Sequence, residues 1–147
     1  MLLEIFNFLH FLGLAFGLGG ATIAAIISRK AEKDAEIGKA FMKIIPSVSK
    51  LIWLGLILLI ISGIGITLLI QWPINRQILL VKHILVFWIV FFGVVIGVKM
   101  RKMQTLSPVN SKGKISMGFL RTRKQIKVFS IINLILWYLV TLLSAFV

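Results

Sequence analysis

Two histidines, His10 and His83, are the residues of this chain whose type and position could do chemistry. Each lies in an apolar segment long enough to form a membrane helix, where ionisable side chains are costly and usually face a partner or a cavity. Neutral imidazoles bind metals and haem iron, and they also transfer protons. The two histidines are therefore the leading candidates for a shared ligand site.

Each histidine begins a stripe of mostly small side chains, spaced by three and four residues. The first stripe continues through Gly13, Gly17, Gly20 and Ala24, and the second through Val86, Val90, Gly93 and Gly97. This spacing places each stripe on one helix face, which we expect to point inward. Glycines four residues apart are typical of closely packed membrane helices.

The composition indicates an integral membrane protein of one domain, residues 1–147. The chain is 59% hydrophobic and 14% charged, and its apolar residues come in long blocks. The absence of cysteine excludes disulfides, thiolate metal ligands and covalently attached c-type haem. The net charge of +13 comes from cations that flank the apolar blocks, so we expect no nucleic-acid partner.

Four apolar blocks predict four membrane spans, at about 2–28, 51–70, 78–98 and 128–147. Each is near the roughly 20 residues that cross a hydrocarbon core, and unsatisfied backbone cannot face lipid, so each span must be a helix. We expect residues 31–36 to extend the first helix and Pro46 to mark the approach to the second. The predicted fold is an all-α, up-down four-helix bundle.

The basic residues predict the orientation of the chain. Fifteen of the 17 lysines and arginines lie in the loops after the first and third spans, whereas Arg76 and Lys82 lie near the middle connection. The positive-inside rule then puts both basic loops in the cytoplasm and both termini outside the inner membrane. We expect the basic loops to touch anionic headgroups of the lipid bilayer.

The predicted depths of the two histidines agree. His10 lies roughly 12 Å and His83 roughly 8 Å below the outer start of its helix, at about 1.5 Å per residue. Helices one and three are diagonal in an up-down bundle, with axes roughly 11–14 Å apart. That gap suits two imidazoles bound to a central haem iron better than one bare ion. The sequence therefore predicts a b-type haem with His10 and His83 as axial ligands.

Four further residues complete the predicted haem site. Gly13 makes room for the macrocycle, while Arg76 and Lys82 lie at the outer rim, where they could pair with the haem propionates. Thr141 lies in a polar stripe of the fourth span, near the same outer layer. Asn133, in the same stripe, is expected to hydrogen-bond another helix.

Other interpretations of the histidines stay open. Each could hydrogen-bond a neighbouring helix with no cofactor present. Copper is an alternative ligand, although two histidines leave its coordination incomplete. Quinone binding and proton transfer are further possibilities.

A small four-span layout with a histidine early in the first helix and Lys82-His83 at the start of the third resembles the HemJ-like protoporphyrinogen oxidases and the CopD-type copper-resistance proteins. His10 would match the family's first-helix histidine, and Lys82 its third-helix lysine. The resemblance implies haem, porphyrin or copper handling.

The predicted function is electron transfer, or oxidation of a porphyrin-like or quinone substrate, and whether the chain is a HemJ-like oxidoreductase stays open. The alternatives are copper or small-solute transport, and an accessory subunit that packs in a larger membrane complex or a homo-oligomer. No Ser-His-Asp set or paired carboxylates are present, so classical hydrolysis is not expected.

Overall fold

The computed structural model describes residues 1–69, 75–106 and 116–144, and the secondary structure in these ranges is entirely helical. Helix α1 spans Leu2–Ala31 and contains a π-helical turn at Ala15–Gly19. Helices α2, α3 and α4 span Ala35–Leu69, Arg76–Thr105 and Met117–Leu143. All four are long and apolar enough to cross a membrane. The prediction of an all-α chain with four membrane-length helices is confirmed.

The chain forms two compact units, each built on one helical hairpin. The first unit, Met1–Pro73, packs α1 against α2, and the second, Ile74–Val147, packs α3 against α4. Each hairpin is described by itself below. The prediction of a single domain over 1–147 stays a prediction.

Helix α2 begins well before the predicted span and runs unbroken through Pro46. Asp34 starts it, because its Oδ1 accepts hydrogen bonds from the backbone N–H groups of Glu36, at 2.8 Å, and Ile37, at 3.3 Å. The prediction that residues 31–36 extend the first helix is therefore wrong: α1 ends at Ala31 and a short turn follows. Pro46 lies inside a helix rather than at its approach.

Helices α3 and α4 also extend beyond the predicted spans, into the basic segment. Asn75 starts α3 by accepting hydrogen bonds from the backbone N–H groups of Gln77, at 3.1 Å, and Ile78, at 3.4 Å. Lys99, predicted in the loop, lies in α3 and donates to Gln125 Oε1 at 2.8 Å. Residues 107–115 of the predicted loop, and positions 70 and 145–147 of the predicted spans, lie outside the described residues.

The first hairpin packs through small residues in a regular antiparallel register. Four points of contact follow one another: Phe6 with Gly65, His10 with Ser62, Gly13 with Leu59, and Gly20 with Ile52. The steps of three, four and seven residues between these contacts are those of a closely packed helix pair. This register fixes the level of His10 on α2.

The second hairpin packs through larger side chains. Phe92 on α3 stacks near Phe129 on α4, with ring centroids 5.8 Å apart. Lys99 Nζ stands 5.6 Å from the centroid of the same Phe129 ring. Among the described residues of this unit, those that are buried are Ile89 and Met103 on α3, and Thr122, Trp137 and Val140 on α4.

Candidate functional site

His10 lies at the interface of α1 and α2, where it hydrogen-bonds across the hairpin. Its Nδ1 lies 2.9 Å from Ser62 Oγ. Ser62 is fully buried, with 0% of its surface exposed, and its hydroxyl lies 3.2 Å from the Leu59 carbonyl on its own helix. Histidine, serine and carbonyl therefore form a short chain of hydrogen bonds.

The hydrogen bonds that meet at Ser62 favour one tautomer of His10. The Leu59 carbonyl can only accept, so the Ser62 hydroxyl satisfies it by donating its single proton. With that proton used, the hydroxyl oxygen can accept from a protonated Nδ1 of His10, and both contacts are then hydrogen bonds. The Nε2 atom carries the imidazole lone pair in this tautomer, and a metal-binding histidine uses such a lone pair.

His83 lies on α3 and reaches the same tautomer by a simpler route. Its Nδ1 lies 2.7 Å from the carbonyl oxygen of Leu79, one turn earlier in the helix. A carbonyl cannot donate, so Nδ1 must carry the proton and, in the neutral ring, Nε2 the lone pair. The sequence suggested an inward-facing His83, but its side chain is exposed. The α3 face that packs on α4 carries Ile89 and Phe92 instead.

Gly13, predicted to make room for a macrocycle, lies against α2. A methyl group added to Gly13 would meet the Leu59 side chain at 2.8 Å and the Gly55 carbonyl at 2.9 Å. A methyl group added to Gly55 would in turn overlap the backbone of Gly13 and Gly17. The space beside Gly13 is thus occupied by the second helix, and the Gly13-Gly17 pair acts in helix packing, as its spacing indicates.

Three predicted site residues lie in the second hairpin. Arg76 is exposed in the first turn of α3, and Lys82 is half-buried nearly two turns further along. The register set by Phe92 with Phe129 and by Lys99 with Gln125 brings Lys82 level with Thr141. The Thr141 hydroxyl donates to the Trp137 carbonyl at 2.9 Å, so its proton is already used within α4.

Asn133 and Trp137 hold two unmatched polar atoms on α4. Asn133 Oδ1 and Trp137 Nε1 are both buried, and neither has a hydrogen-bond partner among the described residues. Asn133 was predicted to hydrogen-bond another helix, and its Oδ1 makes no such bond within the described part of the chain. A buried hydrogen-bond acceptor without a partner is destabilising, so this oxygen lowers the free energy of unfolding.

A site for a bare metal ion is not assembled within the described ranges. No three side chains of the types His, Cys, Asp or Glu lie together there. The donor set thus consists of single imidazoles, one on each hairpin. Axial positions of a haem iron need such single imidazoles, whereas a copper ion bound by protein alone needs more ligands in one place.

Sequence inspection missed Ser62, the partner of His10. The signal was present, because Gly55 and Ser62 are small residues seven positions apart in the second apolar block, with Gly65 one turn further. Such spacing predicts a packing face on α2 that matches the glycine stripe on α1. The carbonyl partners of Ser62 and His83 have no sequence signal, since every residue carries a carbonyl.

Comparisons of the chain with protein-family models, with curated proteins and with solved structures found no match.

Proposed function

We propose that this protein is a multi-pass inner-membrane protein with both termini outside, and that it binds a b-type haem through His10 and His83. Its role in this proposal is electron transfer, or oxidation of a porphyrin-like or quinone substrate. The observation that carries the proposal is the shared state of the two imidazoles. In each, Nδ1 lies within hydrogen-bonding distance of a protein oxygen, 2.9 Å from Ser62 Oγ and 2.7 Å from the Leu79 carbonyl, and a neutral ring whose Nδ1 donates carries its lone pair on Nε2.

That state is the one in which histidine binds iron. Metal-binding histidines almost always donate their other N–H to a carbonyl, carboxylate or water, which fixes the ring and raises the basicity of the ligand. Ser62 serves this purpose for His10, and the Leu79 carbonyl for His83. The donor set therefore fits haem, which would supply one-electron redox chemistry when bound.

The cations of α3 fit the acidic groups of a haem. Arg76 is exposed, and Lys82 has no hydrogen-bond or ion-pair partner among the described residues, so both can pair with a propionate. The Thr141 hydroxyl, which already donates to a carbonyl, is not such a donor. In this proposal the chain holds the ligand nitrogens and neutralises the propionates, and its apolar helices keep water away from the iron.

Paired variants of the whole protein test the proposal. His10→Ala and His83→Ala are purified beside two controls, Asn7→Ala on α1 and Gln77→Ala on α3, which replace exposed polar residues near each histidine. We expect each histidine variant to lose the low-spin, six-coordinate absorption and electron paramagnetic resonance signals. Both controls should retain them.

Two other outcomes of this experiment would contradict the proposal. Unchanged spectra in both histidine variants would contradict the proposal, because neither imidazole would then bind the iron. Loss in only one variant would contradict bis-histidine ligation. Lys82 would be the first suspect for the other ligand, and Lys82→Gln would then abolish the remaining signal.

An accessory role in a larger membrane complex is the second candidate. At Gly63 and Gly97, no described atom apart from the adjoining backbone of the same helix and the two neighbouring residues lies within 4 Å of the place where a side chain would begin. A helix of another subunit could approach closely at such positions. Gly63→Leu and Gly97→Leu would then reduce co-purification of a larger subunit, and chains that purify alone in mild detergent would count against this role.

A further inference from the structure

We propose that Ser62 is a positioning residue, which holds His10 in the neutral tautomer with Nδ1 protonated and Nε2 carrying the lone pair. The part of this inference that concerns iron rests on the proposed function. The tautomer itself does not, because it follows from protein atoms alone.

The single proton of the Ser62 hydroxyl favours donation by His10 Nδ1. Two contacts meet at Ser62 Oγ, at 2.9 Å from His10 Nδ1 and at 3.2 Å from the Leu59 oxygen, but the hydroxyl has one proton. If His10 donates, both contacts are hydrogen bonds. If the hydroxyl donates to His10 instead, the contact with Leu59 has no proton. At Ser62, the first arrangement keeps one more hydrogen bond than the second.

The packing around Ser62 holds its hydroxyl beside the imidazole. The Phe6 ring fills the space at Gly65, about one turn away on α2. Gly13 fits against Leu59 and Gly55 on the other side. These contacts hold the two helix axes at a fixed separation on either side of the His10–Ser62 hydrogen bond. Ser62 cannot move away from the imidazole without disturbing one of them.

The hydrogen bond to Ser62 determines which His10 nitrogen can bind a ligand. Which imidazole nitrogen is available to a metal or an acceptor is set by the hydrogen bond that the other nitrogen makes. Without the Ser62 oxygen, His10 loses the acceptor that favours a protonated Nδ1, and only the tautomer with that proton presents the Nε2 lone pair. Ser62 therefore prepares His10 before any ligand arrives, at a distance from the ligand itself.

Nitrogen NMR of the haem-free, full-length protein tests this directly. The chain has only two histidines, so labelling histidine with ¹⁵N gives two imidazoles, and His83→Gln assigns the signals. In the wild type at a pH where His10 is neutral, we expect Nδ1 to resonate as a protonated nitrogen and Nε2 as an unprotonated one. In Ser62→Ala, both signals should move toward intermediate values.

Thr67→Ala is the matched control. Thr67 also lies on α2, and its hydroxyl donates to the Gly63 carbonyl of the same helix at 2.8 Å, so this variant loses a similar hydroxyl bond away from His10. The His10 nitrogen signals should be unchanged. A change equal to that in Ser62→Ala would show that general loosening of α2, rather than Ser62, controls the tautomer.

The wild-type spectrum alone can overturn the inference, even if Ser62→Ala does not fold. A His10 with Nε2 protonated and Nδ1 unprotonated contradicts it, and so does a Ser62→Ala spectrum identical to the wild type. Failure of the haem proposal looks different. A protein that takes up no haem yet shows protonated Nδ1 at His10 would refute the proposed function and retain the role of Ser62.

Discussion

The His10 imidazole and the Ser62 hydroxyl, 2.9 Å apart, join the first two helices at a level where both helices are closely packed. The bond is what a helix-packing histidine makes, and it is also what orients a histidine that binds a metal. A substitution at His10 therefore acts on the hairpin and on any bound ligand together. A substitution at Ser62 removes the same hydrogen bond but keeps the imidazole, so a ligand bound to His10 is not itself deleted.

The first prediction concerns the reduction potential of the haem-loaded protein. Ser62→Ala should raise the midpoint potential by roughly 20–60 mV, where 59 mV is a tenfold change for one electron. The reason is that a donating Nδ1 makes the imidazole more basic, which favours ferric iron. Spectroelectrochemical titration measures the shift, and Thr67→Ala should show none. A lower potential in Ser62→Ala would contradict this account.

Gly55 is predicted to be the position in the first hairpin least tolerant of a side chain. Gly55→Ala should lower the free energy of unfolding by about 1–3 kcal/mol, because its methyl group would overlap the backbone of α1. Gly63 lies on the same helix but faces open space, so Gly63→Ala should leave the free energy of unfolding unchanged or raise it slightly. Thermal unfolding in detergent compares the two. Equal losses would show that the helices do not approach as closely as described.

Asn133 is predicted to cost stability. Replacing it by leucine removes a buried oxygen without a described partner, so Asn133→Leu should raise the free energy of unfolding, on the order of 1 kcal/mol. Thr141→Val is the control, since its hydroxyl is already bonded within α4 and the change should be small. A marked loss of stability in Asn133→Leu would reveal a partner for that oxygen.

Pro46 is predicted to weaken the long α2 helix locally. Proline lacks the N–H that would bond the carbonyl of Met42, so Pro46→Ala should restore one helical hydrogen bond at an exposed position. The expected gain is up to about 3 kcal/mol of helix stability. Hydrogen exchange of residues 42–50 should slow in the variant. Unchanged or faster exchange would mean that the proline does not strain the helix.

Much of the fold is predictable from this sequence, because the apolar blocks and the lipid environment leave little choice. Four apolar blocks specified four helices, and the Gly13-Gly17 spacing specified a packing face. The residues at which the helices begin and end were predicted less well. Asp34 and Asn75 start helices outside the apolar blocks, and contacts such as Lys99 with Gln125 extend the second hairpin into a charged region that hydropathy assigns to a loop.

The candidate site is predictable only in part. Rarity and apolar surroundings identified His10 and His83, but they could not give the protonation of either ring. That depends on Ser62 and on two backbone carbonyls, which are brought near by helix packing and by the helical repeat. The exposure of His83 was likewise not predictable from its stripe, since α3 uses the face with Ile89 for its partner helix.

The proposed orientation gives a further prediction. Because the chain lacks cysteine, single cysteines report accessibility without background. Gln77→Cys should react with a membrane-impermeant maleimide in intact cells, whereas Lys33→Cys and Lys102→Cys should react only after permeabilisation; all three positions are exposed. The reverse pattern would place the termini in the cytoplasm.

The absorption spectrum of the purified full-length protein tests the central claim most directly. Reduced and oxidised samples, prepared from cells supplied with haem, should show a Soret band and sharp α and β bands at about one haem per chain. Protein that stays colourless after haem is offered in excess would contradict haem binding, and the histidines would then be explained by their hydrogen bonds to Ser62 and to the Leu79 carbonyl.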